Sequence, residues 1–417
     1  MHAEVAPLPF DALDLSPAEV DRRFALARSR GTPRWLWPAL PVERWMDGRR
    51  EVVRATSAVL AGRKAALDEG DAVGAQALGI AAFTLGMGPL LGRWLEDGTL
   101  SAEPRTAAVF ALHLAHGRAR AEKLGRELDT ALAALASGGV EATVLKGMHT
   151  ARALFPEPGT RPMTDIDLVV DADAIPAAEA ALRAAGYVRQ SADYQRRPYH
   201  ADWRPPGETG RVGSLVLAHR DNPLTLNLHD GFDRFPGPGR VHLGAPGPAD
   251  LAPMPGTATP ARALAGPFLV AYLAAHASEQ RENLMLVRLV ELVLAMRSGV
   301  RADDLRGFLA ERRMAHNVYP ALALAERLAP GTVEADFLGW LEAESGPRIR
   351  AAVAALDLAA LQRLDQRVAG GRDLAARGTL DRLRAALRWV LPHASPRRIA
   401  AAYASRGRRL VHLLRAR

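Results

Sequence analysis

The sequence predicts an α+β chain, a small mixed-sheet unit flanked by N- and C-terminal helical regions. Three observations carry that expectation. Apolar residues recur at helical spacing up to Ser137. After Gly138-Gly139 the pattern changes to short apolar or alternating runs. Beyond a stretch rich in Pro and Gly, Phe235 to Pro260, helical spacing returns. Runs of strands set between runs of helices indicate segregated helices and a mixed sheet. The expected divisions are a helical region at 1–138, the α/β unit at 139–235, a linker at 236–260 and a helical region at 261–417.

The elements follow in order. Asp14-Leu-Ser-Pro-Ala-Glu19 has the form of a helix start, with Ser16 as cap and Pro17 in the first turn. Ala72 to Gly92 has only Gln76 and Thr84 as polar side chains and is long enough to span a bilayer. Its Ala, Gly and Pro89 favour instead a buried helix ending near Gly88-Pro89. A long amphipathic helix is expected from Pro104 to Ser137. Ala142 to Leu145 is a strand, Gly147 to Leu154 a short helix and Pro156 to Gly159 a loop. Asp165 to Val170 is a second strand, and Ile175 to Ala185 a helix closed by Gly186. Tyr187 to Gly213 reads as polar loop. Ser214 to His219 and Leu224 to His229 read as an antiparallel pair joined by Arg220-Asp-Asn-Pro223. Helices after Ala261 break at Gly299, Gly331, Gly370-Gly371 and Pro392.

Composition narrows the chemistry. The chain has 417 residues, 48% hydrophobic and 24% charged, enough for two or three domains. It has no cysteine, which excludes disulfides, thiolate metal sites and cysteine nucleophiles. Met1 to Phe10 carries no signal-peptide pattern, so a cytoplasmic protein is expected. The net charge of +8 is concentrated: Arg377 to Arg417 holds eleven Arg against one acid, Asp381. That tail alone sums to +10, and the other 376 residues to −2. It reads as charged amphipathic helices or as a platform for an anionic partner, a membrane surface included. Nucleic acid is not indicated, since no recognised binding module is visible. Only Lys64, Lys123 and Lys146 are lysines, so Lys146 beside a motif glycine stands out.

The candidate site lies in Thr143-Val-Leu-Lys-Gly-Met148 and Arg161-Pro-Met-Thr-Asp-Ile-Asp-Leu-Val-Val170. Side chains at i and i+2 of a strand share a face. Asp165 and Asp167 therefore point to one place, while Ile166 and Leu168 point into a core. Two carboxylates forced together need a cation, usually a hard metal such as Mg²⁺ (or Mn²⁺) carrying nucleotide phosphates. Gly147, between strand and helix, would let backbone amides approach a phosphate. Lys146 and Arg161 could add charge to that contact. Arg161 has the alternative of a salt bridge to Asp165.

Leu145-Lys-Gly147 followed by Arg161-x-Met-x-Asp-x-Asp-Leu-Val-Val170 resembles the nucleotidyltransferase superfamily related to DNA polymerase beta. Within it the chain is similar to the bacterial family described as uncharacterised nucleotidyltransferase. Phe83 to Gly98 and Leu269 to Met296, the latter with His276 and Glu291, resemble further segments of that family. The likeness extends over about 40–417, with its specific part at 143–170. The resemblance implies a Mg²⁺-dependent enzyme that moves a nucleoside monophosphate from an NTP, ATP favoured, to an acceptor. That acceptor would be a small molecule (a phosphorylated one included), a peptide natural product or a protein.

The resemblance also implies a third carboxylate on a later strand. The matching stretch is Thr225-Leu-Asn-Leu-His-Asp230: His229 fits, but Asn227 stands where the acid is expected. An amide oxygen can ligate a metal, yet it carries no charge and cannot act as a base. Asp230 or Asp221 could substitute in another register, though Asp230 would face away from Asn227. The readings left open are an enzyme, a degenerate nucleotide- or substrate-binding protein, and a scaffold gripping an anionic partner by its tail. His229, His200 and His276 with Glu291 are candidate substrate or support residues. Each also has a plain structural reading, as a strand, loop or helix-packing residue.

Overall fold

The computed structural model describes residues 41–190, 200–208, 220–232, 243–280 and 284–361, together with residues 22 and 25. The expected helix start at Ser16, the expected strand at 214–219, the first part of the Pro/Gly-rich stretch and the basic tail lie outside the described residues.

The chain enters through helices Val42–Leu60, Ala72–Thr84, Gly88–Glu96 and Pro104–Ser137. The apolar stretch from Ala72 is two helices and not one. It breaks after Thr84, and a new helix starts with Pro89 in its first turn, bent by 115° from the first. Proline lacks an N–H and suits that first turn, so it opens the second helix where the sequence suggested the end of the first. Among the described residues, no single helix is long and apolar enough to cross a membrane. Two short strands, β1 (Ala65–Ala66) and β2 (Leu100–Ser101), pair in parallel among these helices.

The sheet unit contains β3 (Thr143–Val144), β4 (Asp165–Val169), β5 (Val188–Arg189), β6 (His200–Arg204), β7 (Thr225–His229), β8 (Leu251–Pro253) and β9 (Arg262–Leu264). They form one mixed sheet in the order β5-β6-β7-β4-β3-β9-β8. The pairs β4–β7 and β3–β9 are parallel, and the other neighbours are antiparallel. Four strands of this sheet were not expected, nor were β1 and β2 in the region read as helical. β5 and β6 lie where a polar loop was read, β8 where a linker was read, and β9 just inside the stretch read as helical. Strands of two or three residues carry almost no periodic signal of their own, so pairing with neighbours defines them. Proline at the end of β8 is tolerated because that strand is the sheet edge.

After the sheet come helices Gly266–Gln280, Leu286–Arg297, Ala302–Glu311, Ala315–Leu328, Ala335–Ala343 and Pro347–Ala354. Glycines with positive φ stand at the expected breaks, Gly299 and Gly331.

Strict alternation sorts the central strands into two faces. Ile166, Leu168, Ala201, Trp203, Leu226 and Leu228 are buried in one core. They share it with Leu124, Leu128, Leu132 and Leu135 of the long helix and with Ala178 and Leu182 of helix Ile175–Ala184. Each such leucine contributes about 1.5–3 kcal/mol by leaving water. A second core joins the helices before and after the sheet, and Leu145, Val169 and Leu264 extend it onto the strands. The other face of β4, β7 and β6 is mostly polar, with Asp167 and Val169 buried on it and the rest half-buried, and it carries the candidate site.

Candidate active site

Asp165 and Asp167 share one face of β4, as the two-residue repeat requires, with Ile166 and Leu168 buried behind them. The parallel register sets Asp167 opposite Asn227 and Val169 opposite His229. The antiparallel register on the far side of β7 sets Asp202 opposite Asn227 and His200 opposite His229. Three adjacent strands thus present Asp165, Asp167, Asn227, His229, His200 and Asp202 on one surface.

Lys146 reaches this surface from the end of β3. The Leu145 amide donates to the Asp167 carbonyl at 2.9 Å, continuing the ladder one residue past the strand. At Gly147 the chain turns with φ 59° and ψ −101°. That region is open to glycine and strained for other residues. An added Cβ there would meet nothing closer than Arg161 Nη1 at 3.7 Å, so the conformation, not crowding, requires glycine. The helix that follows, Met148–Ala153, has only six residues.

Lys146 Nζ donates to Asp167 Oδ2, and both side chains are buried. The other oxygen of Asp167 lies 3.2 Å from His229 Nε2 and 3.5 Å from Asn227 Nδ2. Burial opposes the charge of Asp167, but the Lys146 ammonium and then His229 outweigh it. The carboxyl is held well below the usual carboxylate range. Burial pushes the His229 imidazole down, although Asp167 pulls the other way. A neutral ring beside a carboxylate, which can only accept, places its proton on Nε2. The rings of His229 and His200 stack at 4.5 Å and 4°. His200 Nε2 lies 3.2 Å from Asp202 Oδ1. Asn227 Nδ2 donates to Asp165 Oδ2 at 3.2 Å.

Arg161 and Glu291 belong to a separate, buried arrangement. Arg161 Nε and Nη2 donate to the two Glu291 oxygens at 2.8 and 3.0 Å, a forked pair. Thr150 Oγ1 and Arg288 Nη1, the latter at 3.3 Å, also donate to Glu291. Burial disfavours the Glu291 charge, but Arg161 and Arg288 overcome it and bring the carboxyl to about 2. Of the two expectations for Arg161, phosphate contact and ion pair, the geometry displays an ion pair, and its partner is Glu291 rather than Asp165. The fork lies next to the turn, since a Cβ built on Gly147 would meet Arg161 Nη1 first, at 3.7 Å. The loop before Arg161 is seated by close approach. Gly159 packs against the backbone of Arg118, and a Cβ on Gly117 would strike the Gly159 carbonyl at 2.2 Å. His276 is buried in helix Gly266–Gln280. Asp221 is exposed in the turn before β7, and Asp230 follows β7.

The sequence reading missed three contributors. Asp202 sits in His-Ala-Asp-Trp-Arg204, whose polar–apolar alternation is a strand signature that its polar surroundings obscured. Arg120 of the long helix is buried and donates to the carbonyls of Met163 (2.6 Å), Thr164 (3.2 Å), Asn222 and Pro223 (3.2 Å). It fastens the entries of β4 and β7 together, and nothing local in the sequence marks it. Thr150 is fully buried against Glu291.

A mixed sheet with paired aspartates on one face, a lysine-glycine turn beside them and helices on either side defines a nucleotidyltransferase-type protein. The chain belongs to the family described as uncharacterised nucleotidyltransferase, whose profile matches residues 71–330. No curated protein matches it. Among solved structures it is similar to the antibiotic-resistance factor ANT(2'')-Ia, with 17% identity, coverage of 49% of this chain and 98% of that one, and a TM-score of 0.32.

Proposed function

We propose that this protein transfers a nucleoside monophosphate from an NTP, ATP favoured, to a small-molecule, peptide or protein acceptor, and that it requires a divalent cation. The observation that carries the reading is the convergence of Asp165 and Asp167 on one sheet face beside Lys146. The donor set suits a hard cation such as Mg²⁺ or Mn²⁺. Asp165 and Asp167 offer carboxylate oxygens. Asn227 offers an amide oxygen if its amide is turned over, an exchange that leaves heavy-atom positions unchanged. Bound there, the cation would offset charge on the triphosphate.

The chain's own residues account for the rest. The acceptor oxygen attacks the α-phosphorus, the bond to the bridging oxygen of the β-phosphate breaks, and pyrophosphate leaves. Lys146, seated on Asp167, and the backbone amides at Gly147 would favour the charge that builds on the phosphates. The acceptor's proton needs a base. Asn227 cannot take it, and Lys146 and His229 hold Asp167 ionised. We assign that role to Asp202, half-exposed and opposite Asn227. Asp202→Asn is expected to slow pyrophosphate release by about 100-fold or more while nucleotide affinity stays unchanged. Equal loss of affinity would remove the assignment.

Asn227 also motivates a second reading, a binding protein that has lost catalysis. The deciding experiment is binding of ATP, GTP, CTP and UTP, with and without Mg²⁺, to wild type and to Asp165→Asn/Asp167→Asn. Tight Mg²⁺-dependent binding that needs both aspartates, with pyrophosphate release on adding acceptor extracts, supports the transferase. Binding without release, and release gained in Asn227→Asp, supports the second reading. No nucleotide binding by folded wild type rejects both and directs attention to a partner of the basic tail.

A further inference from the structure

We propose that this site takes a single divalent cation with its nucleotide, and that the Lys146 ammonium stands permanently where a second cation would otherwise be needed. The inference rests on the nucleotidyltransferase reading and deepens it.

Charge is the first argument. Asp165 and Asp167 bring two carboxylates to the β4 face, Lys146 sets its ammonium against one of them, and Asn227 beside them brings no charge. On β3, β4 and β7 this leaves one carboxylate without a cation of its own, while Asp202 stands one strand further away, on β6. Two divalent ions side by side repel strongly, and closely spaced pairs are held by several carboxylates.

Lone pairs are the second argument. Asp167 Oδ2 accepts from Lys146, and Oδ1 faces His229 Nε2 at 3.2 Å and Asn227 Nδ2 at 3.5 Å. Both oxygens of Asp167 are engaged by N–H donors. Asp165 differs: among the described residues its one hydrogen-bond partner is Asn227, at 3.2 Å on Oδ2. One open carboxylate beside one already paired with an ammonium is a seat for one ion, to which Asp167 Oδ1 can still turn a remaining lone pair.

Burial is the third. The Lys146 and Asp167 side chains are 8% and 6% exposed. Removing either partner would leave a buried charge unpaired, so the ammonium is not readily displaced by an arriving ion. Lys146 directly follows Leu145, whose amide continues the ladder to the Asp167 carbonyl, so the fold itself sets the ammonium beside Asp167.

The test is equilibrium dialysis of the full-length protein with Mn²⁺ and α,β-methylene-ATP, repeated with the GTP, CTP and UTP analogues. Manganese and nucleotide are both quantified in the protein compartment. One Mn²⁺ per bound nucleotide is expected for wild type. Two are expected for Asn227→Asp, which supplies a third carboxylate, and for Lys146→Met, which removes the internal cation. Two Mn²⁺ per nucleotide in wild type would overturn the inference while leaving the transferase reading intact. One Mn²⁺ in wild type and in both variants would overturn the roles given to Lys146 and Asn227. No bound nucleotide with any analogue would overturn the transferase reading itself, and this inference with it.

Discussion

Glu291 and His149 are both buried and titratable, and they make opposite uses of burial. Glu291, 1% exposed, keeps its charge because Arg161, Arg288 and Thr150 surround it. Replacing it by Ala leaves the Arg161 guanidinium buried without a counter-charge. The expected cost is about 3–5 kcal/mol by denaturant unfolding. The double replacement Arg161→Met/Glu291→Leu should recover most of that loss, because it removes both charges together. Additive losses in the double variant would refute the pairing. The folded value of Glu291, about 2, lies below its ordinary 4.5. Its stabilising contribution is therefore complete above about 4.5 and is lost as pH falls towards 2. His149, buried two residues after the motif glycine, is pushed by burial to about 4, against its ordinary 6.5. The unfolded chain takes up that proton first, so stability falls as pH drops from 6.5 to 4 and the His149 contribution then levels off. His149→Gln should reduce the slope of stability against pH in that window by about one proton, roughly 1.4 kcal/mol per pH unit. An unchanged slope between pH 4 and 6.5 would show that His149 is protonated in the folded protein.

Single residues also hold whole elements in place. Arg120 joins four carbonyls at the entries of β4 and β7, so both site strands depend on one guanidinium. Arg120→Leu strands those carbonyls in the interior, at about 1–3 kcal/mol for each group left unpaired and unrelaxed. Hydrogen exchange should accelerate at 165–169 and 225–229 while helix Ala302–Glu311 keeps its protection. Uniform acceleration would mean that Arg120 is a global rather than a local fastener. At this scale the sequence was informative where a signal is local. The long helix, the face shared by Asp165 and Asp167 and the lysine-glycine turn all follow from spacing within one segment. β6 was missed although it alternates, because the polar residues around it mimic a loop. β8 and β9 were missed because three residues cannot establish a period. The partner of Arg161 lies 130 positions away, and Arg120 reaches residues 43 to 103 positions distant. Such pairings depend on the folded path of the chain, which no window of sequence contains.

At the scale of the molecule, the site surface depends on elements from three parts of the chain. Leu124, Leu128, Leu132 and Leu135 of the long helix, all before residue 139, cover the rear of β4, β7 and β6. Leu145, Val169 and Leu264 of the sheet lie in a core with Phe268, Tyr272 and Val290 of the helices that follow. The buried Arg161–Glu291 pair crosses the same boundary. A fragment of residues 139–264 would expose both surfaces: the rear face would lose four leucines, worth about 1.5–3 kcal/mol each. Leu145, Val169 and Leu264 would lose their apolar cover, and Arg161 would lose its carboxylate. Those losses together exceed the 5–15 kcal/mol by which folded domains are ordinarily stable. The 139–264 fragment is therefore expected to lack near-ultraviolet circular dichroism and to bind no nucleotide. Residues 41–361 should melt in one cooperative transition, because the cores on the two faces of the sheet share their strands. A soluble 139–264 fragment with native dichroism, or two separate transitions in 41–361, would show that the helices are accessories to a self-sufficient sheet. The sheet would then owe its aspartate geometry to strand pairing alone.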